Sequence, residues 1–304
     1  MKKKKYNRFF RFIVDSEYRF VVLGNLGFFK KIPDDKYLKR RFKQITGMNL
    51  NLDNPQSFNE KIQWLKIHER NPILTTLVDK AEVKKWVSDI IGEEYVIPTY
   101  GVFEKFEDID FSRLPKQFVI KCTHDSGSSI ICLDKDKLNL RNTRKRINKC
   151  LKKNTYWASR EWAYKDVRPR IIIEKCIGDL AESDIIDYKM MCFNGKVKCL
   201  FTCTDRHSED GLKVTFFDCD WNVLPFERHY PKSKEEIKKP INFENLILLA
   251  EKIARDLVFA RVDFYDIEGK IYFGEVTLYP GAGTEEFSPQ EWDYKIGSML
   301  ELPL

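Results

Sequence analysis

The spacing of apolar positions changes character near residue 118. Over 35–115 it is mostly helical. Ser57-Phe58-Asn59-Glu60 has the spacing of a capping box, and Phe58, Ile62, Trp64, Leu65 and Ile67 follow as an apolar stripe. A second helix is predicted over about 79–90, with Ala81, Val83, Trp86, Val87 and Ile90 on its inward face. Residues 95–102 read as a strand and turn. From Phe118 the apolar runs shorten to strand length. Residues 118–122 and 130–133 read as a hairpin around a polar loop at 124–129. Basic helical material follows at 138–152, then a strand at 170–174. Two strands between 187 and 201 turn at Asn194-Gly195, a strong hairpin signal. Further strands are predicted at 213–219, 259–265 and 271–277, with a helix at 243–256 and a turn over 265–270. The class predicted is α+β or α/β, with mixed, largely antiparallel sheets in the second half.

Composition narrows this further. Of the 304 residues, 43% are apolar and 13% aromatic, enough for a sizeable core and too much for a disordered chain. The net charge is +7, from 53 Lys and Arg against 46 Asp and Glu. That mild excess favours anionic ligands such as nucleotides, acidic sugars or lipid head groups. Nucleic acid is the least favoured partner, because no reader motif accompanies the basic stretch at 141–153. The eight cysteines form no CxxC pair. They read as buried free thiols in a reducing cytoplasm, not as a zinc site or a disulfide framework. Residues 2–30 are basic and aromatic, but Asp15, Glu17 and Arg19 interrupt the apolar run, so no transmembrane helix is expected. The segment fits either an amphipathic helix on an anionic membrane or a helix packed on its own core, and packing is the expectation.

Candidate chemistry gathers in the strands. Arg261 and Asp263 share one face of their strand, as do Glu275 and Thr277 of theirs, and a hairpin would bring all four together. A cation and two carboxylates are costly to bury without a shared partner. Mg²⁺ is one such partner, taking hard oxygens from Asp263, Glu275 and Thr277. Arg261 suits a phosphate or carboxylate. A plain Arg–Asp salt bridge is the alternative. Lys121 ends a strand just before Ser126, Gly127 and Ser128, whose amides can cradle a phosphate chain; a surface turn is the alternative. Glu174 closes a strand before Lys175 and Ile177, and an edge segment of that kind can bind adenine through its main chain. An ordinary strand end is the alternative. Asp187 and Lys189 share a face and suit a ribose hydroxyl and a phosphate oxygen, or else form a cross-strand ion pair. Arg206, His207 and Arg228 read as solvated surface, with a substrate carboxylate as the sharper reading. Asp218-Cys219-Asp220 fits a DxD metal motif but reads as a hairpin turn.

As an ordered set, several phrases carry a resemblance. They are Asn54-Pro55, then Phe58-Asn59-Glu60-Lys61-Ile62-Gln63-Trp64, Asp79-Lys80, Phe118-Val119-Ile120-Lys121 and Asp187-Tyr188-Lys189. They continue with Cys192-Phe193-Asn194-Gly195-Lys196, Arg261-Val262-Asp263 and Phe273-Gly274-Glu275-Val276-Thr277. From about residue 35 onward the chain resembles the ATP-grasp superfamily, and within it the teichuronopeptide-biosynthesis (TupA-like) proteins of bacterial surface-polysaccharide gene clusters. The resemblance implies two α+β lobes gripping ATP behind a mostly helical, basic region at 1–75. It implies an ATP-grasp domain at 76–304, with a lid lobe over about 96–178 and a metal-binding lobe over about 179–304. It gives Lys80 and Lys121 to the ATP phosphates, 174–177 to adenine, Asp187 to the ribose, and Asp263 and Glu275 to Mg²⁺. Thr277 stands where many members have Asn. The loop at 124–129 would act as a mobile cover over the phosphates. The reaction implied is ATP-dependent amide formation between a carboxylate, such as a uronic acid, and an amine, through an acyl phosphate. Lys189 and Arg261 would act on the transferring phosphoryl group. A glycosyltransferase of the same pathways and an ATP-grasp kinase are the alternatives.

Overall fold

The computed structural model describes residues 8–178, 186–205, 208 and 211–303. Three helices come first: α1 (Arg8–Val14), α2 (Ser16–Asn25) and α3 (Asp34–Thr46). Phe20, Tyr37, Leu38 and Phe42 from them join Leu50 and Leu52 in a small separate core. Next come α4 (Phe58–His68), α5 (Ile73–Val78) and α6 (Glu82–Ile91). The capping box forms as its spacing predicts, with Ser57 and Glu60 each accepting from the other's backbone N–H. The inward face of α6 differs in two positions: Ala81 precedes the helix as its half-buried N-cap, and Ile91 takes the place of Ile90. Val83, Val87 and Ile91 are buried while Ile90 is exposed, because a helical face repeats every fourth residue from Val83. No described helix is long and apolar enough to cross a membrane.

A four-stranded antiparallel sheet follows: β1 (Thr99–Phe103), β2 (Phe118–Cys122), β3 (Ile130–Cys132) and β4 (Ile171–Lys175), in the order β1-β4-β2-β3. The helix α7 (Leu140–Leu151) covers it, burying Ile147 and Cys150 against Ile120, Cys122, Ile171 and Ile173. A short helix, α8 (Thr155–Ser159), ends at Arg160, which is buried and pairs with Asp34 at 3.0 Å.

The second sheet has five antiparallel strands. These are β5 (Asp187–Phe193), β6 (Lys196–Thr204) and β7 (Lys213–Phe217), then β9 (Phe259–Ile267) and β10 (Lys270–Thr277), in the order β10-β9-β5-β6-β7. Between β7 and β9 lie β8 (Glu227–Arg228) and α9 (Phe243–Ala254), and β8 pairs with β11 (Phe287–Ser288). The last helix is α10 (Glu291–Ser298). Helices α4, α5, α6 and α9 share one apolar core with this sheet. Asn194 and Gly195 turn with φ of 47° and 79°, the left-handed pair a tight hairpin needs. A Cβ at Gly195 would meet the Arg255 carbonyl oxygen at 2.6 Å. The last hairpin turns at Glu268-Gly269, so β9 runs two residues further than its apolar pattern indicates.

Candidate active site

Three neighbouring strands carry a polar row. Lys189 on β5 stands opposite Asp263 on β9, and Asp263 stands opposite Glu275 on β10. Arg261, two residues before Asp263 and opposite Thr277, lies on the same face. Its Nε and Nη2 donate to the two oxygens of Asp263 at 2.7 Å each, and Nη2 reaches Glu275 at 3.0 Å. Lys189 donates to Asp263 as well and lies 3.5 Å from Asp187. Thr277 Oγ1 donates to Glu275 at 3.2 Å. The four residues predicted to meet do meet.

Strict alternation would not have produced this. Phe273 points into the apolar core opposite Phe264, and two residues on, Glu275 should share its side. A bulge at Gly274 shifts the register by one and turns Glu275 onto the face of Asp263. Asp263 is 3% exposed, whereas the Glu275 side chain is 42% exposed and open to a ligand.

The electrostatics follow from this crowding. The protein packed around the Glu275 carboxyl displaces part of its water and would raise it, but Arg261, Lys80, Lys189 and Lys121 outweigh that and hold the group down at about 2. Burial pulls the Lys189 ammonium down, but Asp263, Asp187 and Glu275 together leave it above its ordinary value. Lys80 and Lys121 come from outside the large sheet, so cations from separate elements converge on one carboxylate.

Those two lysines are themselves held. Lys121 on β2 lies 2.5 Å from Glu174 on β4, and Lys84 on α6 takes the other oxygen at 2.7 Å. Burial would raise Glu174, yet the two lysines keep it below the usual carboxylate range. Lys80, between α5 and α6, donates to the carbonyl of Asp125. Its own N–H donates to the Thr123 carbonyl at 3.0 Å. The loop at 124–129 is tied inward. Ser128 donates to Asp125 at 2.5 Å and accepts from the Cys122 N–H at 2.8 Å. Ser126 and Gly127 form its exposed tip, Gly127 with a φ of 89°.

Several sequence readings need correction. The strand ending at Glu174 is not an edge: β4 lies between β1 and β2, and the Lys175 N–H already donates to Pro98 at 2.9 Å. Only the main chain beyond it, at Cys176 and Ile177, leaves the sheet. Arg228 is interior, not solvated surface. It donates to the Pro280 carbonyl at 3.0 Å, pairs with Glu285 at 2.8 Å, and lies over the Phe58 and Phe287 rings. Arg206 and His207 fall outside the described residues. Asp218-Cys219-Asp220 is a turn. Asp218 accepts from the N–H groups of Asp220 and Asn222, and from the Asn222 side chain at 3.0 Å.

Sequence reasoning missed Lys84, although it stands four residues after Lys80, in the first turn of α6. It also missed the loop that follows Thr277. Gly281, Ala282 and Gly283 all have positive φ, and Gln63 and the buried Lys66 on α4 hold the Ala282 carbonyl at 2.8 Å each.

The model of the family described as TupA-like ATP-grasp matches residues 60–301, from within α4 to beyond α10. The chain belongs to the TupA-like ATP-grasp family. Its fold is the α+β ATP-grasp fold, and every predicted site residue lies inside the TupA-like match. No curated protein matches the chain. Among solved structures it is similar to D-alanine–D-alanine ligase from Bacillus anthracis complexed with ATP, at 20% identity over 68% of this chain and 55% of that one, with a TM-score of 0.39. D-alanine–D-alanine ligase from Helicobacter pylori follows at 13% identity, 82% and 70% coverage, and a TM-score of 0.40. The ADP complex of N5-carboxyaminoimidazole ribonucleotide synthetase shows 14% identity, 81% and 58% coverage, and a TM-score of 0.43. The chain thus spans little more than half of the Bacillus anthracis ligase. Likenesses this weak add nothing to the TupA-like match.

Proposed function

We propose that this chain is an ATP- and Mg²⁺-dependent carboxylate–amine ligase that modifies a uronic-acid-type sugar in bacterial surface-polysaccharide biosynthesis. One observation carries the reading: Lys189 and Arg261 contact the acidic pair Asp263 and Glu275, and Lys80 and Lys121 add their charge to the field at Glu275. The pathway rests on the family alone.

The donor set fits Mg²⁺. Asp263 and Glu275 offer two carboxylates, with the Thr277 hydroxyl beside them. Among the described residues no three His, Cys, Asp or Glu side chains gather into a cage of their own. Mg²⁺ prefers such a small set, since it keeps waters and takes substrate phosphate oxygens. ATP and Mg²⁺, when bound, supply the phosphoryl group that turns a carboxylate into an acyl phosphate open to attack by an amine.

The protein's part is charge and position. Lys80, Lys121 and Lys189 offset the phosphate charge. Arg261 keeps Glu275 ionised and orients both acidic groups. Asp187 takes the ribose, and the main chain at Cys176 and Ile177, just beyond β4, takes the adenine. The loop at 124–129 covers the phosphates and excludes water that would hydrolyse the activated acid. No side-chain nucleophile is needed. The thiols are poor candidates in any case: burial raises Cys122 to about 12, so its thiolate is scarce.

The test is titration of ATP–Mg²⁺ into wild type and Lys121→Ala, followed by ADP release with uronic acids and amines. Binding that depends on Lys121, with ADP released only when acid and amine are both present, supports the ligase. Release with an acid or sugar alone points to a kinase. Absence of ATP binding overturns the reading.

A further inference from the structure

The net charge of the chain is concentrated at one end. Residues 1–31 hold nine Lys and Arg against two Asp and Glu, a net of +7. Taken from the totals of 53 and 46, that leaves 44 of each sign on residues 32–304, so the remainder is neutral. Both acidic groups of the segment are engaged. Asp15 caps α2, accepting from the N–H groups of Glu17 and Tyr18 at 3.0 and 2.8 Å. Glu17 pairs with Arg40 at 3.0 Å.

The same segment turns large apolar groups to solvent. On α1, Ile13 and Val14 are 55% and 61% exposed, and Phe10 lies one turn before them on the same face. Just after α2, Leu26 and Phe28 are 68% and 69% exposed, followed by exposed Lys30 and Lys31. The segment is nonetheless anchored. Phe20 stacks on Phe29 at 4.7 Å, and Arg160 donates to the Phe29 carbonyl at 2.7 Å. Arg19 donates to the carbonyls of Phe12 and Ile13 at 3.0 and 2.7 Å, which ties α1 to α2.

Charge selects the occupant. A second copy of this chain would bring two segments of +7 together. A nucleic acid would use the cations and leave Ile13, Val14, Leu26 and Phe28 in water. A bilayer rich in anionic phospholipid uses both, taking apolar side chains into the boundary of head groups and acyl chains while the cations meet the head groups. We infer that the segment from α1 to Lys31 docks this protein on an anionic membrane surface. This goes beyond the ligase reading and does not depend on it.

The experiment is co-sedimentation of the full chain with phosphatidylcholine vesicles, and with vesicles in which part of that lipid is replaced by phosphatidylglycerol. The expected result is pelleting with the anionic vesicles only, weakened several-fold by raising salt, since the Debye length shortens from about 10 Å at 0.1 M to about 3 Å at 1 M. Ile13→Ser with Val14→Ser, and separately Leu26→Ser with Phe28→Ser, should each reduce binding several-fold with the far-ultraviolet circular dichroism unchanged. Two independent sites guard against a variant that misfolds. Equal pelleting with neutral vesicles, none with anionic ones, or binding unchanged in both folded variants would overturn the inference. So would a concentration-dependent dimer that the Leu26→Ser, Phe28→Ser variant abolishes, because a second copy would then cover the patch.

Discussion

Glu275 faces Asp263 across the last hairpin only because Gly274 drops out of the register between them. The bulge is a one-residue device for moving a carboxylate from the core side of a strand to its polar side. A Cβ at Gly274 would sit 3.1 Å from both the Asp263 carbonyl oxygen and the Tyr265 ring. Gly274→Val should therefore destabilise the fold by about 1–3 kcal/mol. It should also weaken ATP–Mg²⁺ binding, by roughly tenfold or more, which is about 1.4 kcal/mol or more. Thermal melting and calorimetric titration measure the two effects. Unchanged affinity in a folded variant would detach the bulge from ligand binding.

Arg261 bridges both acidic groups with a planar fork that lysine cannot reproduce. Arg261→Lys should keep the positive charge yet lower kcat by about 100-fold, the scale of losing one aligned donor. Steady-state ADP release gives the number. A kcat near wild type would show that charge alone suffices.

Glu174 joins two lysines from different elements, so its loss leaves both less compensated. Glu174→Gln should cost about 2 kcal/mol, below the usual 3–5 for a buried pair because Lys84 and Lys121 retain some access to water. The thermal midpoint reports it. Lys121→Ala in the Glu174→Gln background should then add little, which a double-mutant cycle reads directly.

Two carboxyls shift in opposite directions, and the pH dependence separates them. Glu275 is held below its ordinary value, to about 2, so its contribution is present above about pH 4.5 and lost as pH falls through about 2. Burial raises Glu69 to about 7, so the folded state holds that proton more tightly than the unfolded chain does. Its contribution is complete below about pH 4.5 and disappears as pH rises through about 7. Glu69→Gln should accordingly gain thermal stability relative to wild type between about pH 5 and about pH 8. A constant difference across that range would contradict the shift.

Much of this was legible before the fold. The capping box at Ser57 and Glu60 and the turn at Asn194-Gly195 are local, and local chemistry suffices to call them up. The polar face of Arg261 and Asp263 follows from a period of two. What escaped was non-local. The position of β4 inside its sheet depends on β1, nearly seventy residues earlier in the chain, and no feature near Glu174 announces it. Arg228 sits in a polar stretch, and only the packing of Phe58 and Phe287 makes it interior. The bulge at Gly274 is invisible to a pattern read two residues at a time. Lys84 was readable in principle as a second lysine four residues after Lys80, at the start of the predicted helix.

The helix α6 touches both sheets by different means. Its Val83, Val87 and Ile91 are buried in the apolar core of the large sheet, while its Lys84 holds the small sheet through Glu174. Nearby, Arg170 ties the start of β4 to Asp79 and Glu82 at 2.8 Å each. The cores of the two sheets are otherwise separate. One attachment of α6 is therefore apolar, and the other is made of charge pairs, of which Arg170–Glu82 has a solvent-exposed partner that ions screen while Lys84–Glu174 is largely buried and screened little. Ionic strength reaches only the rim of this joint: it loosens the Arg170–Glu82 pair and leaves the Lys84–Glu174 hold on the small sheet in place.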